Sequence, residues 1–217
     1  MINRRLAIGL EELVNVATHG AGLLVSVALL PVFVMLASRN GDMGVVIGVT
    51  IFSITLIGCY AASTIYHACP PGPRRDTWRR LDQSAVYLLI AGTYTPFALG
   101  ALRGPWGWGL LTFVWLGAIA GIVAKVKLRI DRASMETVIY LAMGWMVLIA
   151  IRPLLGTIGW SGLAWIAAGG IAYTIGVIFL VNQRRLRYGH CIWHVAVLGG
   201  SACHAIAVVN YGIALPQ

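Results

Sequence analysis

Along its 217 residues the chain alternates long apolar runs with short polar connections. A hydrocarbon core of about 30 Å takes about 20 apolar residues per crossing helix. Seven stretches meet that length, at 16–37, 45–67, 82–101, 106–124, 134–154, 162–182 and 190–212. The connections SRNGDMG at 38–44, ALRGPW at 101–106 and LLGTIGWSG at 154–162 are too short to hold a soluble domain. The pattern predicts an all-α integral membrane protein, a single seven-transmembrane helix bundle over residues 1–217. Small residues such as Gly117 and Gly121 are expected where helices approach closely. Pro96, in GTYTP at 92–96, falls inside the third helix, where it frees a backbone carbonyl.

Composition agrees. The chain is 59% hydrophobic and 11% charged, far from the roughly 25% charged residues of a soluble domain. Its net charge of +9 raises nucleic acid as a partner. The Lys and Arg residues, however, sit in short clusters between apolar blocks, as the flanks of membrane helices do, so no nucleic-acid role is expected. Arg4, Arg5, Arg74, Arg75, Arg79, Arg80, Lys125, Lys127, Arg129, Arg132, Arg184, Arg185 and Arg187 fall on one side of the seven-pass plan, whereas Arg39, Arg103 and Arg152 fall on the other. Because cytoplasmic loops carry the excess of positive charge, the N-terminus is expected inside the cell and the C-terminus outside, in a multi-pass protein of the cell membrane. MINRRLAIGLEELVNVATHG reads as no cleaved signal peptide. Cys59, Cys69, Cys191 and Cys203 form no C-x-x-C pair and are expected as free thiols. Trp106, Trp108, Trp160 and Trp165 fall at the outer ends of helices, where an interfacial aromatic belt belongs.

The topology gives each polar residue a depth. His67 closes the second helix on the cytoplasmic side, Asp82 opens the third after the basic segment PPGPRRDTWRRL, and His190 and His194 open the seventh. Residues at i and i+4 share a helix face, so both rings of HCIWH can point at one ion. With a third histidine from another helix they make the three-nitrogen set of a catalytic zinc site, which leaves one position for water. Asp82 either takes that position or holds the water as an outer base. Ser63, one turn before His67 in STIYH, is a candidate donor to a ligand, to the water or to a substrate carbonyl. His19 lies at a compatible depth and is a candidate for the outer shell, against a purely structural hydrogen bond. His204 lies ten residues past His194, about 15 Å along a helix, and is expected to line a cavity or to pack. Cys69 and Cys191 are near enough to be considered, but buried thiols usually behave as small apolar groups. A lone helical histidine is more often packed than ligating. Three histidines and an aspartate in one leaflet shift that balance, because ionisable groups in membrane segments are costly and mark function.

STIYH, LDQSAVYLLIAGTYTP and HCIWHVAVLGGSACH, with ELVNVATHG near the start, resemble the bacterial hemolysin III proteins. These belong to the progestin and adipoQ receptor family, within a superfamily that includes the alkaline ceramidases. The resemblance spans nearly the whole chain and implies a seven-helix fold with its N-terminus inside. It implies zinc as cofactor, with His67, His190 and His194 as ligands, Asp82 contacting zinc through water and Ser63 as the serine of the first motif; His204 matches no ligand of the family. The expected activity is zinc-dependent hydrolysis of an amide or ester bond in a membrane lipid, contributing to membrane lipid homeostasis. Membrane lipids are the expected partners. The alternatives are a non-enzymatic membrane sensor with structural zinc and a haemolysin-type pore.

Overall fold

The computed structural model describes residues 2–39, 41–130 and 133–213, and every regular element among them is helical. Of the cations counted above, Arg132 and the side chains of Arg4 and Arg5 lie outside the described residues, as do residues 214–217. The helices are α1 (Ile2–Ser38), α2 (Met43–Ala68), α3 (Pro73–Leu99), α4 (Pro105–Val126), α5 (Ala133–Gly144), α6 (Ile151–Asn182) and α7 (Gly189–Ala207). A 3₁₀ segment, Trp145–Ala150, joins α5 to α6, and a π turn, Val208–Gly212, follows α7. α2 packs between α1 and α3, α3 against α4, α6 against α7, and α7 returns to α1, so the chain closes into a bundle.

Among the described residues, five stretches are long and apolar enough to cross a membrane: Gly9–Ser38, Met43–Ala68, Pro105–Val126, Met135–Asn182 and Gly189–Gly212. Three of the seven expected spans depart from this set. The stretch Met135–Asn182 covers 162–182 and all of 134–154 but its first residue, in 48 continuous residues. It does not run straight. Trp145 Nε1–H donates to Thr174 Oγ1 at 3.1 Å, whereas 29 residues of straight helix would part them by about 43 Å. The chain therefore folds back between them, and Gly159, at φ 64° and ψ −177°, supplies the break. That backbone region is accessible in practice only to glycine.

The third is the expected span at 82–101, which lies in α3 but is not among the five. Residues 73–81, read from the sequence as a loop, form the first turns of α3 instead. Pro73 at the first helical position has its φ already set for a helix, and Asp76 meets the positive end of the helix dipole. Asp82 thus sits in the third turn rather than at the start. α3 runs on through Pro96 to Leu99.

At the start of α2, Asp42 accepts hydrogen bonds from the Gly44 and Val45 amides at 2.8 and 3.2 Å and pairs with Arg103 at 2.5 Å. This ties the α1–α2 turn to the α3–α4 turn at the end of the bundle opposite His67. Inside, Val49, Phe52, Leu56 and Tyr60 of α2 meet Tyr87, Leu89 and Ala91 of α3 in the buried core. Large apolar residues such as Leu24, Phe113, Trp160 and Val181 are exposed on the flanks, where an apolar solvent rather than water suits them. Gly121 allows α4 to approach α3 closely, because an added Cβ would lie 2.5 Å from Tyr87 Cζ.

Candidate metal centre

The end of α2 and the start of α7 meet through imidazoles. His67 lies in the last turn of α2, and His190 and His194 lie in the first two turns of α7. His67 and His194 are buried and His190 is half-buried. Nitrogens of the three rings lie within 4.8 Å of one another, and His190 Nε2 stands 3.2 Å from His67 Nε2. Among the described residues, neither Asp82, His19 nor any cysteine belongs to this group.

Side chains from three other segments hold the rings from behind. His67 Nδ1–H donates to Glu12 Oε2 at 2.6 Å, and Arg75 pairs with the other oxygen of Glu12 while also donating to the Cys69 carbonyl. His190 Nδ1–H donates to Gln183 Oε1 at 2.7 Å. His194 Nδ1 lies 3.4 Å from the Thr18 hydroxyl. With Nδ1 protonated on His67 and His190, each Nε2 carries a lone pair, and both lone pairs face the same point. Glu11 fixes the start of α7 itself, since its Oε1 accepts from the Tyr188 amide at 3.0 Å.

A second layer lies deeper. Asp82 lies beside Ser63 and His67. Ser63 Oγ lies 2.7 Å from His19 Nδ1, and the His19 ring stacks on His194 with centroids 3.5 Å apart. A serine hydroxyl has one proton. Given to the Asp82 carboxylate, it leaves Oγ to accept from His19 Nδ1–H, which orders a chain from His19 through Ser63 to Asp82. His19 Nε2 is then buried without a partner.

The donor set suits a divalent ion. Two imidazole lone pairs 3.2 Å apart repel unless a cation or proton lies between them. Tetrahedral zinc, with Zn–N of 2.0–2.1 Å, places two ligand nitrogens about 3.3 Å apart. Ligating histidines also characteristically donate their other ring N–H to a carboxylate or carbonyl, as His67 and His190 do. The site can therefore hold a metal ion on three nitrogens.

His204 is buried elsewhere on α7, stacked on Tyr173. All four cysteines are free, and Cys191 Sγ donates to the Glu11 carbonyl at 3.7 Å. Of the residues that hold the site, Glu12 and Gln183 were not singled out from the sequence. For Glu12 a signal existed: Glu12, Asn15 and His19 recur at i, i+3 and i+7, a polar stripe on an otherwise apolar helix. Gln183 offered none, being one polar residue in a basic connection.

Comparison with known proteins gives the family. A family model described as haemolysin-III related matches residues 9–205. The chain is 39% identical over 201 residues to "Hemolysin-3" of Bacillus cereus, covering 93% of this chain and 91% of the relative. It is 38% identical over 206 residues to "Hemolysin-3 homolog" of Bacillus subtilis (strain 168), covering 95% and 96%. A weaker similarity, 25% over 173 residues, covering 74% and 68%, reaches the human "Monocyte to macrophage differentiation factor". No solved structure matches. With its several apolar helices, its histidine triad and a family match over almost its whole length, the chain belongs to the haemolysin III-related family, as a multi-pass protein of the cell membrane.

Proposed function

We propose that this protein is a zinc-dependent hydrolase of an amide or ester bond in a membrane lipid, working in the cytoplasmic leaflet of a seven-pass bundle whose N-terminus lies inside the cell and whose C-terminus lies outside. The observation that carries the reading is the pair of imidazole Nε2 atoms 3.2 Å apart, each fixed from behind by a hydrogen bond at Nδ1. When bound, zinc supplies a Lewis acid that polarises a carbonyl and acidifies water. The remaining work falls to side chains of the protein. His67, His190 and His194 would hold the ion. Asp82, outside the ligand group yet beside His67 and Ser63, is positioned to act through water: it takes a proton from the attacking water and returns it to the leaving nitrogen or oxygen. The Ser63 hydroxyl, 2.7 Å from His19 Nδ1, would orient that carboxylate. A cationic belt of Arg74, Arg75, Arg79 and Arg80 along the first turns of α3 lies on the same side as the site, where anionic headgroups gather.

The test is Asp82→Asn in purified protein in lipid. The variant should retain the wild-type zinc content and lose hydrolysis of the lipid that the wild type cleaves by at least about 100-fold, the scale of a lost general base. Undiminished turnover in Asp82→Asn, or turnover surviving in His67→Ala, contradicts the reading.

A second reading has its own observation. α2 and α7 share few backbone contacts, so an ion bound by His67, His190 and His194 would be their chief tie, as in a sensor with structural zinc. On that reading chelation lowers the melting temperature and a broad lipid screen yields no product.

A further inference from the structure

α7 begins without a cap of its own. Its N-cap residue, Tyr188, makes no side-chain hydrogen bond to the first turn and is held at φ 60° and ψ 17°, a left-handed conformation that bulky side chains rarely adopt. The connection from α6 closes largely on its own backbone: the Arg185 and Leu186 amides donate to the Asn182 carbonyl, and the Gly189 amide donates to that of Leu186. The Tyr188 amide is left over. It donates to Glu11 Oε1 at 3.0 Å, so a residue of α1, 177 positions away along the chain, closes the start of α7.

In a capping box, a glutamate at the third helical position reaches back to the N-cap amide. In α7 that position is Cys191, which cannot accept in that way and whose thiol donates instead to the Glu11 carbonyl at 3.7 Å. Glu11 thus supplies from another helix the acceptor that the box takes from its own, and a carboxylate suits the positive end of a helix. His190 lies in the turn so capped, and His194 lies one turn on.

Glu12 completes the arrangement. Successive residues on a helix point about 100° apart, so the two neighbouring carboxylates reach different helices: Glu12 takes His67 at the end of α2, and Glu11 takes the start of α7. α1 packs on both of these helices, which share few backbone contacts with each other. The 3.2 Å between His67 Nε2 and His190 Nε2 is therefore set through α1.

We infer that Glu11 is a positioning residue for the metal site: its bond to the Tyr188 amide fixes the register of α7 in which the nitrogens of His190 and His194 meet that of His67. The inference rests on the metal reading above and deepens it. It makes Glu11 act through its reach and not through its charge. A carboxylate that merely attracted the cation would serve as well from a shorter side chain, and an amide would not replace it.

The experiment measures zinc affinity, by competition with a chelator of known strength, and hydrogen exchange of the metal-free protein, in the full-length chain in nanodiscs. Glu11→Ala should bind zinc roughly 3- to 30-fold more weakly than the wild type, the worth of a lost helix cap. Glu11→Gln keeps the length and the acceptor oxygen. It should stay nearer the wild type than Glu11→Asp, which keeps the charge but falls short by one methylene. Exchange at the start of α7 should quicken in the same order while that of α4 is unchanged. Affinity that follows charge, with Glu11→Asp above Glu11→Gln, overturns the inference, as do variants that all bind zinc like the wild type or exchange that quickens everywhere alike. The order of the Gln and Asp variants stands even where Glu11→Ala fails to fold. A wild type that binds no zinc removes the site and its positioning together, whereas the expected order in a protein that hydrolyses no lipid sinks the hydrolase and leaves Glu11 in this role.

Discussion

At the scale of single residues, the site depends on what lies behind the histidines as much as on the histidines themselves. Glu12 fixes the ring of His67 and is itself fixed by Arg75. Such carboxylate partners set the tautomer and raise ligand basicity, and their loss characteristically weakens metal binding 10- to 100-fold. Glu12→Ala should show a loss of that order in zinc affinity, read by competition with a chelator of known strength, with helix content unchanged. Affinity within twofold of the wild type would reduce Glu12 to an incidental neighbour. The sequence displays the triad more openly than its supports. His190 and His194 declare themselves by lying four apart on one helix, and Ser63 and His67 do the same. The contact of Glu12 with His67 joins positions 55 residues apart, so it exists only through the packing of α1 on α2, which a local pattern does not encode.

At the scale of elements, apolar length locates helices within a membrane but says little about what continues beyond it. That is why α3 begins at Pro73 and not near Asp82, and why α1 begins at Ile2 and not near residue 16: polar turns extend each helix without adding to its apolar run. It is also why the expected connection at 154–162 is helical on both sides of Gly159. A single glycine backbone angle does there what a loop was expected to do. The fold-back between Trp145 and Thr174 argues that Met135–Asn182 makes two passes. In a variant whose native cysteines are replaced, Arg103→Cys should then react with an impermeant maleimide from outside intact cells, and Arg184→Cys only after permeabilisation. Labelling of Arg184→Cys from outside would mean that Met135–Asn182 crosses once.

At the scale of the whole molecule, one end of the bundle is held together by apolar packing and by the Asp42–Arg103 pair. The other end gathers imidazoles, carboxylates and arginines that cost free energy to order and desolvate unless something binds them. His67, His190 and His194 offer nitrogens to one point, with Asp82 and Ser63 beside them, and one bound ion accounts for that expense. Metal analysis combined with zinc-edge X-ray absorption on the purified protein tests this directly. The account predicts one zinc per chain, with about three nitrogen ligands near 2.0 Å, lost in His194→Ala. A wild-type protein without stoichiometric metal, or a metal content unchanged by His194→Ala, would contradict it.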